Sequence, residues 1–175
     1  ERVLASFTGP ATPYCSSIWP LTALNDNPSA GNFFVHWETF PSSTRDEMQL
    51  IAWTMINGAL PNSFLIGKAP SWRARQSPGA IYATIQLWRG LAEWLMQQGI
   101  TTLGAVSAQV HADYATSVKN QGLSRGTVNK TLAALTRLWA FDQLSANPSG
   151  IEEPPWEREG VDDYLPAATA AGEND

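Results

Sequence analysis

The residues from Gly122 to Leu144 constrain the fold most, because they predict a helix together with the turn before it. Ser124 is a favourable N-cap, since its hydroxyl can accept hydrogen bonds from the free amides of a first helical turn. Gly122 suits the left-handed end of a preceding helix. Residues then recur at the spacing of one helix face: Val128, Leu132, Leu135, Trp139 and Asp142, with Leu138 at the margin. Two helices are therefore expected to meet here through a tight turn.

The opposite side of this helix carries long hydrogen-bond donors separated by small residues. The donors are Asn129, Lys130 and Arg137, and the small residues are Gly126, Ala133 and Ala140. Arg125 and Thr127 lie in the first turn, where free backbone amides favour an anion such as phosphate. Asn can pair with adenine, and Arg with guanine, through two hydrogen bonds. The face is thus either a DNA-binding surface or an ordinary solvent-exposed one, since Lys and Arg are common surface residues.

The charges of the chain are divided into blocks, although the formal net charge is −5. Residues 68–137 hold eight Lys and Arg against two acidic residues, a balance of +6. Residues 138–175 hold one Arg against nine acidic residues, a balance of −8, and residues 1–67 carry −3. A basic middle suits phosphate binding, because each cation that meets a phosphate releases condensed counterions. The acidic end predicts a solvated connector.

The 175 residues support one domain with extensions or two small domains, and an apolar content of 43% is enough for a core. The single Cys15 cannot form an internal disulfide and has no neighbours at metal-ligand spacing, so we expect neither a metal nor a cofactor. No apolar run approaches the roughly 20 residues that span a bilayer, and no signal peptide is visible. We therefore expect a cytoplasmic protein without a membrane partner. The start at Glu1 predicts a piece excised from a longer protein.

Three further helices are predicted from their start signals. Thr44-Arg45-Asp46-Glu47 matches a capping box, which predicts a helix over about 44–58. Ser77 followed by Pro78 predicts a helix that runs to Gln98, and Ser107 predicts a third. Most of residues 1–42 should be irregular, with one short strand at 33–37.

Several polar residues on these elements allow two interpretations. Arg89 belongs to a strip on the second helix that either faces DNA or forms a surface ion pair with Glu93. Lys119 ends the third helix, where the helix dipole favours a cation. His111 on that helix is interpreted as a surface or cap residue without chemistry. Lys68, Arg73 and Arg75 flank Trp72 in a basic connector over 57–76, a pattern equally compatible with a Trp that fills the core.

The order and spacing of five motifs support a resemblance. The motifs are Trp88-Arg89-Gly90-Leu91-Ala92-Glu93-Trp94-Leu95, Gly99-Ile100-Thr101-Thr102-Leu103, Tyr114, Gly122-Leu123-Ser124-Arg125-Gly126-Thr127-Val128-Asn129 and Leu135-Thr136-Arg137-Leu138-Trp139. Over about residues 77–145 the chain resembles the core-binding domain of tyrosine recombinases of the phage-integrase family. The resemblance implies a bundle of about four helices which, with a larger catalytic domain, forms a C-shaped clamp around a DNA recombination site. The helices that begin at Ser77 and Ser124 would face the duplex.

We therefore expect a mainly α fold, a four- to five-helix core-binding bundle with a largely irregular N-terminal extension and an extended C-terminal linker. The boundaries are an extension over 1–66 with one helix, a DNA-binding domain over 67–145, and an acidic, Pro-containing linker over 146–175 toward a missing catalytic domain. The resemblance implies that the chain is the DNA-binding arm of a site-specific integrase of a mobile element. Its partner would be double-stranded DNA, alone or with other protomers on the same DNA. The expected DNA contacts are Arg73, Arg75, Arg89, Lys119, Arg125, Thr127, Asn129, Lys130 and Arg137.

Two alternatives remain open. In the first, the chain is a helix-turn-helix regulator in which Arg125, Asn129 and Lys130 read a major groove, normally as a dimer on a two-fold operator. In the second, it is a non-enzymatic helical interaction module that uses a Trp-rich surface.

Residues 1–175 are expected neither to cleave DNA nor to trap it covalently. By the resemblance, recombination needs two Arg, a Lys, one or two His and a Tyr nucleophile in a downstream domain. The chain has only His36 and His111, and Tyr164 lies in an acidic stretch. Incubation with duplex DNA followed by SDS electrophoresis checks this. A covalent adduct would contradict the prediction and point to Tyr164 or Tyr114.

Overall fold

A computed structural model describes residues 12–24 and 33–168 of the chain. The described part is mainly helical, which confirms the predicted fold class. Its α-helices are α1 (Ser42–Asn57), α2 (Asn62–Leu65), α3 (Pro78–Gln97), α4 (Ala108–Lys119), α5 (Arg125–Asp142) and α6 (Trp156–Glu159). Two short strands, β1 (Ile18–Pro20) and β2 (Phe34–His36), pair antiparallel with Trp19 opposite Val35. Within these ranges, no helix has the length and apolar character needed to cross a membrane.

Helix α5 lies at the centre of the bundle and packs against α1, α3 and α4. Leu132, Leu135 and Leu138 are buried on its inner side, as the periodicity predicts. The indole N–H of Trp88 in α3 donates to the carbonyl of Ala134 at 2.7 Å. This buried hydrogen bond joins α3 and α5. It favours one rotation of α5 about its axis, in which the apolar side faces the core.

The predicted starts of three helices are confirmed. The hydroxyl oxygens of Ser77, Ser107 and Ser124 each accept a hydrogen bond from an amide in the first turn of α3, α4 and α5, at 3.2 Å in each case. Each bond satisfies one of the amides that has no partner within its own helix.

The predicted capping box at Thr44 is wrong. Helix α1 begins at Ser42 with Pro41 in the cap position, so Thr44 lies inside the first turn. The Thr44 hydroxyl is buried and has no hydrogen-bond partner among the described residues. The Glu47 carboxylate accepts instead from the Leu103 amide at 3.0 Å and the Thr102 hydroxyl at 3.1 Å. The Glu47 carboxylate, which a capping box would have used locally, thus binds residues distant in sequence.

The connector over 57–76 contains short structured pieces. Helix α2 is followed by a 3-10 turn over Pro70–Trp72. The Phe64 ring lies 5.9 Å, between centroids, from both the Trp72 ring and the Trp139 ring. These aromatic contacts hold the connector against the C-terminal half of α5.

Residues 151–168, named here the strap, pack along α4 and α5. Apart from α6 and a 3-10 turn over Asp162–Tyr164, their backbone is irregular, as a connector would be. Their apolar side chains Ile151, Trp156 and Leu165 are nevertheless buried in the same core as the helices. The strap is therefore a part of the folded unit, where the sequence predicted a solvated linker.

Replacing Trp156 by Ala should lower the free energy of unfolding by about 3–5 kcal/mol, the usual cost of deleting a buried aromatic side chain. Its indole N–H also donates to the Thr136 hydroxyl at 3.0 Å. Urea denaturation followed by circular dichroism measures the change. Arg158→Ala, at an exposed strap position, is the matched control and should change stability by less than about 0.5 kcal/mol. Equal midpoints for both variants would show that the strap is not part of the fold.

Candidate nucleic-acid interface

Helix α5 carries three of the predicted DNA contacts on its outer side. Asn129 and Lys130 are exposed. Arg137 follows Lys130 by seven residues, close to two helical turns, so the two cations share one face about 10.5 Å apart along the axis. The face is open at Asn129 and Lys130, whereas Ala140 near its C-terminal end is buried.

Arg137 is more buried than a surface residue, contrary to the prediction. Its guanidinium carbon lies 3.9 Å from the centroid of the Trp72 ring, a stacked cation–π arrangement. Burial lowers the pKa of Arg137 below its usual range. No described residue forms a salt bridge with Arg137. The side chain is thus a partly desolvated cation without a counter-charge.

Arg73 and Arg75 border the same pocket as Trp72 and Arg137. The pocket lies between the end of α1, the connector before α3 and the C-terminal half of α5. Both arginines are exposed, and the Arg73 guanidinium lies 3.4 Å from the carbonyl of Leu65. The sequence placed Arg73, Arg75 and Arg137 only in the same basic block. The structure brings these three arginines together at one pocket.

The strap contacts Arg125 and Lys119, which the sequence predicted to bind DNA. The Arg125 guanidinium donates to the Pro166 carbonyl at 2.6 Å and to Asp162 Oδ1 at 3.0 Å. The Lys119 ammonium lies 3.4 Å from the Asp163 carbonyl. The acidic segment thus takes the position that a phosphate would need at the start of α5.

Thr127 uses its polar groups within the cap of α5. Its amide donates to the Ser124 hydroxyl oxygen, and the Ser124 hydroxyl donates to Thr127 Oγ1 at 2.8 Å. Nothing in the structure directs this side chain toward a ligand.

Arg89 forms the surface pair that was one of its two interpretations. Its Nε lies 3.3 Å from Glu93 Oε1, and its guanidinium lies 3.4 Å from Thr39 Oγ1. An exposed pair of this kind contributes only a few tenths of a kcal/mol. Arg89 also lies on α3, apart from the pocket.

The prediction that His111 is a surface residue is wrong, because the strap covers this side of α4. The imidazole is fully buried, and its Nε2 lies 2.9 Å from the Glu152 carbonyl, so Nε2 carries the proton and donates. Its ring meets Trp156 edge-on with centroids 5.7 Å apart. Burial lowers the pKa of His111 to about 4. Helical periodicity could not show a cover formed by residues some 40 positions away.

Sequence reasoning missed an ion pair between Lys68 and Glu157. The Lys68 ammonium also lies 5.0 Å from the Phe64 centroid and 5.1 Å from that of Trp72. Glu157 accepts a further hydrogen bond from the Thr136 hydroxyl at 2.8 Å. The opposite charges of residues 68–137 and 138–175 indicate that such ion pairs can form. Which residues pair depends on the tertiary fold.

In the described part of the chain, no three His, Cys, Asp or Glu side chains are grouped as metal ligands. Cys15 is free and exposed.

No family model, curated protein or solved structure matches the chain. The resemblance to tyrosine recombinases therefore stays a prediction that rests on the order and spacing of its motifs.

The stability of the protein should fall between pH 6.5 and pH 4 through protonation of His111. Its pKa is about 4 in the folded state, against the ordinary value of 6.5 for an exposed imidazole, so the unfolded chain binds the proton more tightly. The stabilisation is complete above the unfolded pKa and is lost progressively toward the folded one, by up to about 3 kcal/mol.

His111→Gln keeps a donor for the Glu152 carbonyl but does not titrate. Urea denaturation at several pH values compares this variant with the wild type, so that the carboxylates common to both cancel. The wild type should lose more stability on acidification, and His36→Gln at an exposed position should behave like the wild type. Parallel pH profiles for wild type and His111→Gln would contradict the assignment.

Proposed function

We propose that this chain is a DNA-binding module that holds duplex DNA against the outer face of α5 and the adjoining pocket. The observation that carries the proposal is a separation between neutralised and free cations. Lys68, Arg89, Arg125 and Arg158 each form an ion pair. Six others form no ion pair with a described residue, and two of these, Arg45 and Lys119, contact backbone carbonyls and do not line the pocket. The remaining four are Arg73, Arg75, Lys130 and Arg137. The three arginines line one pocket, and Lys130 shares a helix face with Arg137.

Such a surface suits phosphate binding. Each cation that meets a backbone phosphate releases condensed counterions, which favours association at low salt. The strap, on the other hand, carries six acidic residues and a single Arg within 151–168. A polyanion would be repelled from the strap and attracted to the free cations, so the charge distribution orients the duplex.

We further propose that the module belongs to a site-specific tyrosine recombinase and acts in the cytoplasm on a recombination site. The motif order supports this part of the proposal. Three long helices, α3, α4 and α5, lie in the region of the resemblance. Helix α1, which the sequence analysis placed in the N-terminal extension, packs against α3 and α5 and completes a four-helix bundle. A bundle of this size is compatible with the core-binding domain that the resemblance implies. Strand exchange would require a catalytic Tyr, His and Arg constellation beyond the residues described above.

The alternatives have less support. A helix-turn-helix regulator would need Arg125 to reach bases, but the strap engages its guanidinium.

An interaction module that uses a Trp-rich surface would need exposed Trp. All eight Trp lie in the described ranges, where four are buried and four are partly buried. None of the eight is exposed, which weighs against this second alternative.

Affinity for duplex DNA should fall steeply with salt. Four phosphate contacts imply a slope of log K against log salt of about −3 to −4, at roughly −0.9 per contact. Lys130→Ala and Arg75→Ala should each shallow the slope by about one unit and weaken binding to all sequences alike. Fluorescence anisotropy of a labelled duplex across a salt series measures both.

Arg89→Ala is the matched control, because Arg89 is already paired with Glu93 and lies off this surface. It should bind as the wild type does, and circular dichroism verifies the fold of every variant. If Lys130→Ala and Arg75→Ala together leave the slope unchanged, the DNA does not lie on this face.

A further inference from the structure

We propose that the pocket bordered by Trp72, Arg73, Arg75 and Arg137, named here the arginine pocket, seats one phosphate group. The proposal extends the proposed DNA-binding function. It rests on that function for the source of the phosphate, which is the DNA backbone. A free phosphate ion offers the same chemistry and is the other source that the experiment below separates.

Arg137 is the first reason to expect an anion. A guanidinium has five N–H donors, and none of those of Arg137 bonds to a described residue. Its flat face is covered by Trp72 at 3.9 Å, which leaves its edge for a ligand. Burying part of a cation without a counter-charge is unfavourable, and an anion at that edge would offset the cost.

The pocket is free of competing negative charge. Of the residues that line it, none is Asp or Glu. The nearby strap carboxylate of Glu157 is bound to Lys68 and to the Thr136 hydroxyl instead. Arg125, at the other end of α5, differs from Arg137 in this respect. Its guanidinium donates to Asp162 and to the Pro166 carbonyl. The chain thus neutralises one Arg of α5 internally and leaves the other open.

Arg73 and Arg75 supply the remaining charge at the rim. The 3-10 turn over Pro70–Trp72 precedes both residues and also positions the ring on which Arg137 stacks. Planar guanidinium groups bind phosphate oxygens through paired hydrogen bonds, and this geometry distinguishes them from ammonium groups. All three arginines line the pocket, and guanidinium groups turned toward it would match the several oxygens of a phosphate.

The size and floor of the pocket favour a compact anion. The cavity has a volume of about 80 Å³, several times the roughly 10–15 Å³ that one water molecule needs by the same measure. Its floor is apolar, with Ile56, Leu60 and Phe141 among the lining residues. A low-dielectric floor strengthens the attraction between the rim cations and a bound phosphate.

The test uses ¹⁵N-labelled residues 1–175 and the Nε–H resonances of arginine. The protein is titrated with inorganic phosphate and, separately, with sodium chloride at matched ionic strength. The Arg137 resonance, assigned by its loss in Arg137→Lys, should shift saturably with phosphate and stay unmoved in chloride. Arg75→Gln, at an exposed position, should weaken phosphate binding about tenfold. Arg125→Gln, the matched control on the same helix, should leave the affinity within about twofold.

A second titration with a short duplex separates the sources. A shift of Arg137 on duplex addition that phosphate suppresses supports the DNA backbone as the source. A shift with phosphate but none with a bound duplex supports the pocket and assigns it to free phosphate. Phosphate binding without any duplex binding overturns the proposed function and leaves the pocket. If neither ligand moves Arg137 while duplex binding still depends on Lys130, the pocket proposal is overturned and the DNA-binding function stands.

Discussion

Burial of the apolar side of α5 is the interaction on which the rest of the structure depends. Leu132, Leu135 and Leu138 pack against the surrounding helices, and each such side chain contributes roughly 1.5–3 kcal/mol when it leaves water. The hydrogen bond from Trp88 to the Ala134 carbonyl sets the contact with α3. Once this side of α5 is fixed in the core, Lys130 and Arg137 have to lie on the opposite side.

The strap is the second constraint, because it buries both apolar and polar groups. Trp156 packs against His111, and the Glu152 carbonyl accepts a hydrogen bond from the imidazole Nε2–H. The buried Asp142 carboxylate at the end of α5 accepts from the Ser149 and Gly150 amides, which leads the chain into the strap. Burial of the imidazole lowers the pKa of His111 and so favours its neutral form. The packing of the acidic segment is therefore linked to the protonation of one residue.

The path of the strap also divides the basic residues into two groups. Its acidic side chains and carbonyls neutralise Lys68 and Arg125, whereas Arg73, Arg75 and Arg137 remain without carboxylate partners in the described ranges. A chain with a formal net charge of −5 thereby keeps a positive surface on one side. A net charge alone would have argued against a polyanionic partner, but the spatial separation of the charges decides what the surface can bind.

The starts of α3, α4 and α5 and the apolar side of α5 followed from the sequence, since caps such as Ser77, Ser107 and Ser124 and the apolar spacing of α5 act within a few residues. The short helices α2 and α6 did not, because they lie in segments whose composition indicates a connector. The prediction failed at Thr44, because Glu47 binds to Leu103 instead of closing a local box. Only the tertiary structure decided that His111 is buried, that the strap engages Arg125, and that Arg137 stacks on Trp72 beside Arg73 and Arg75. Each of these contacts joins residues roughly 40 to 65 positions apart, and the energy of such a contact depends on how whole helices pack.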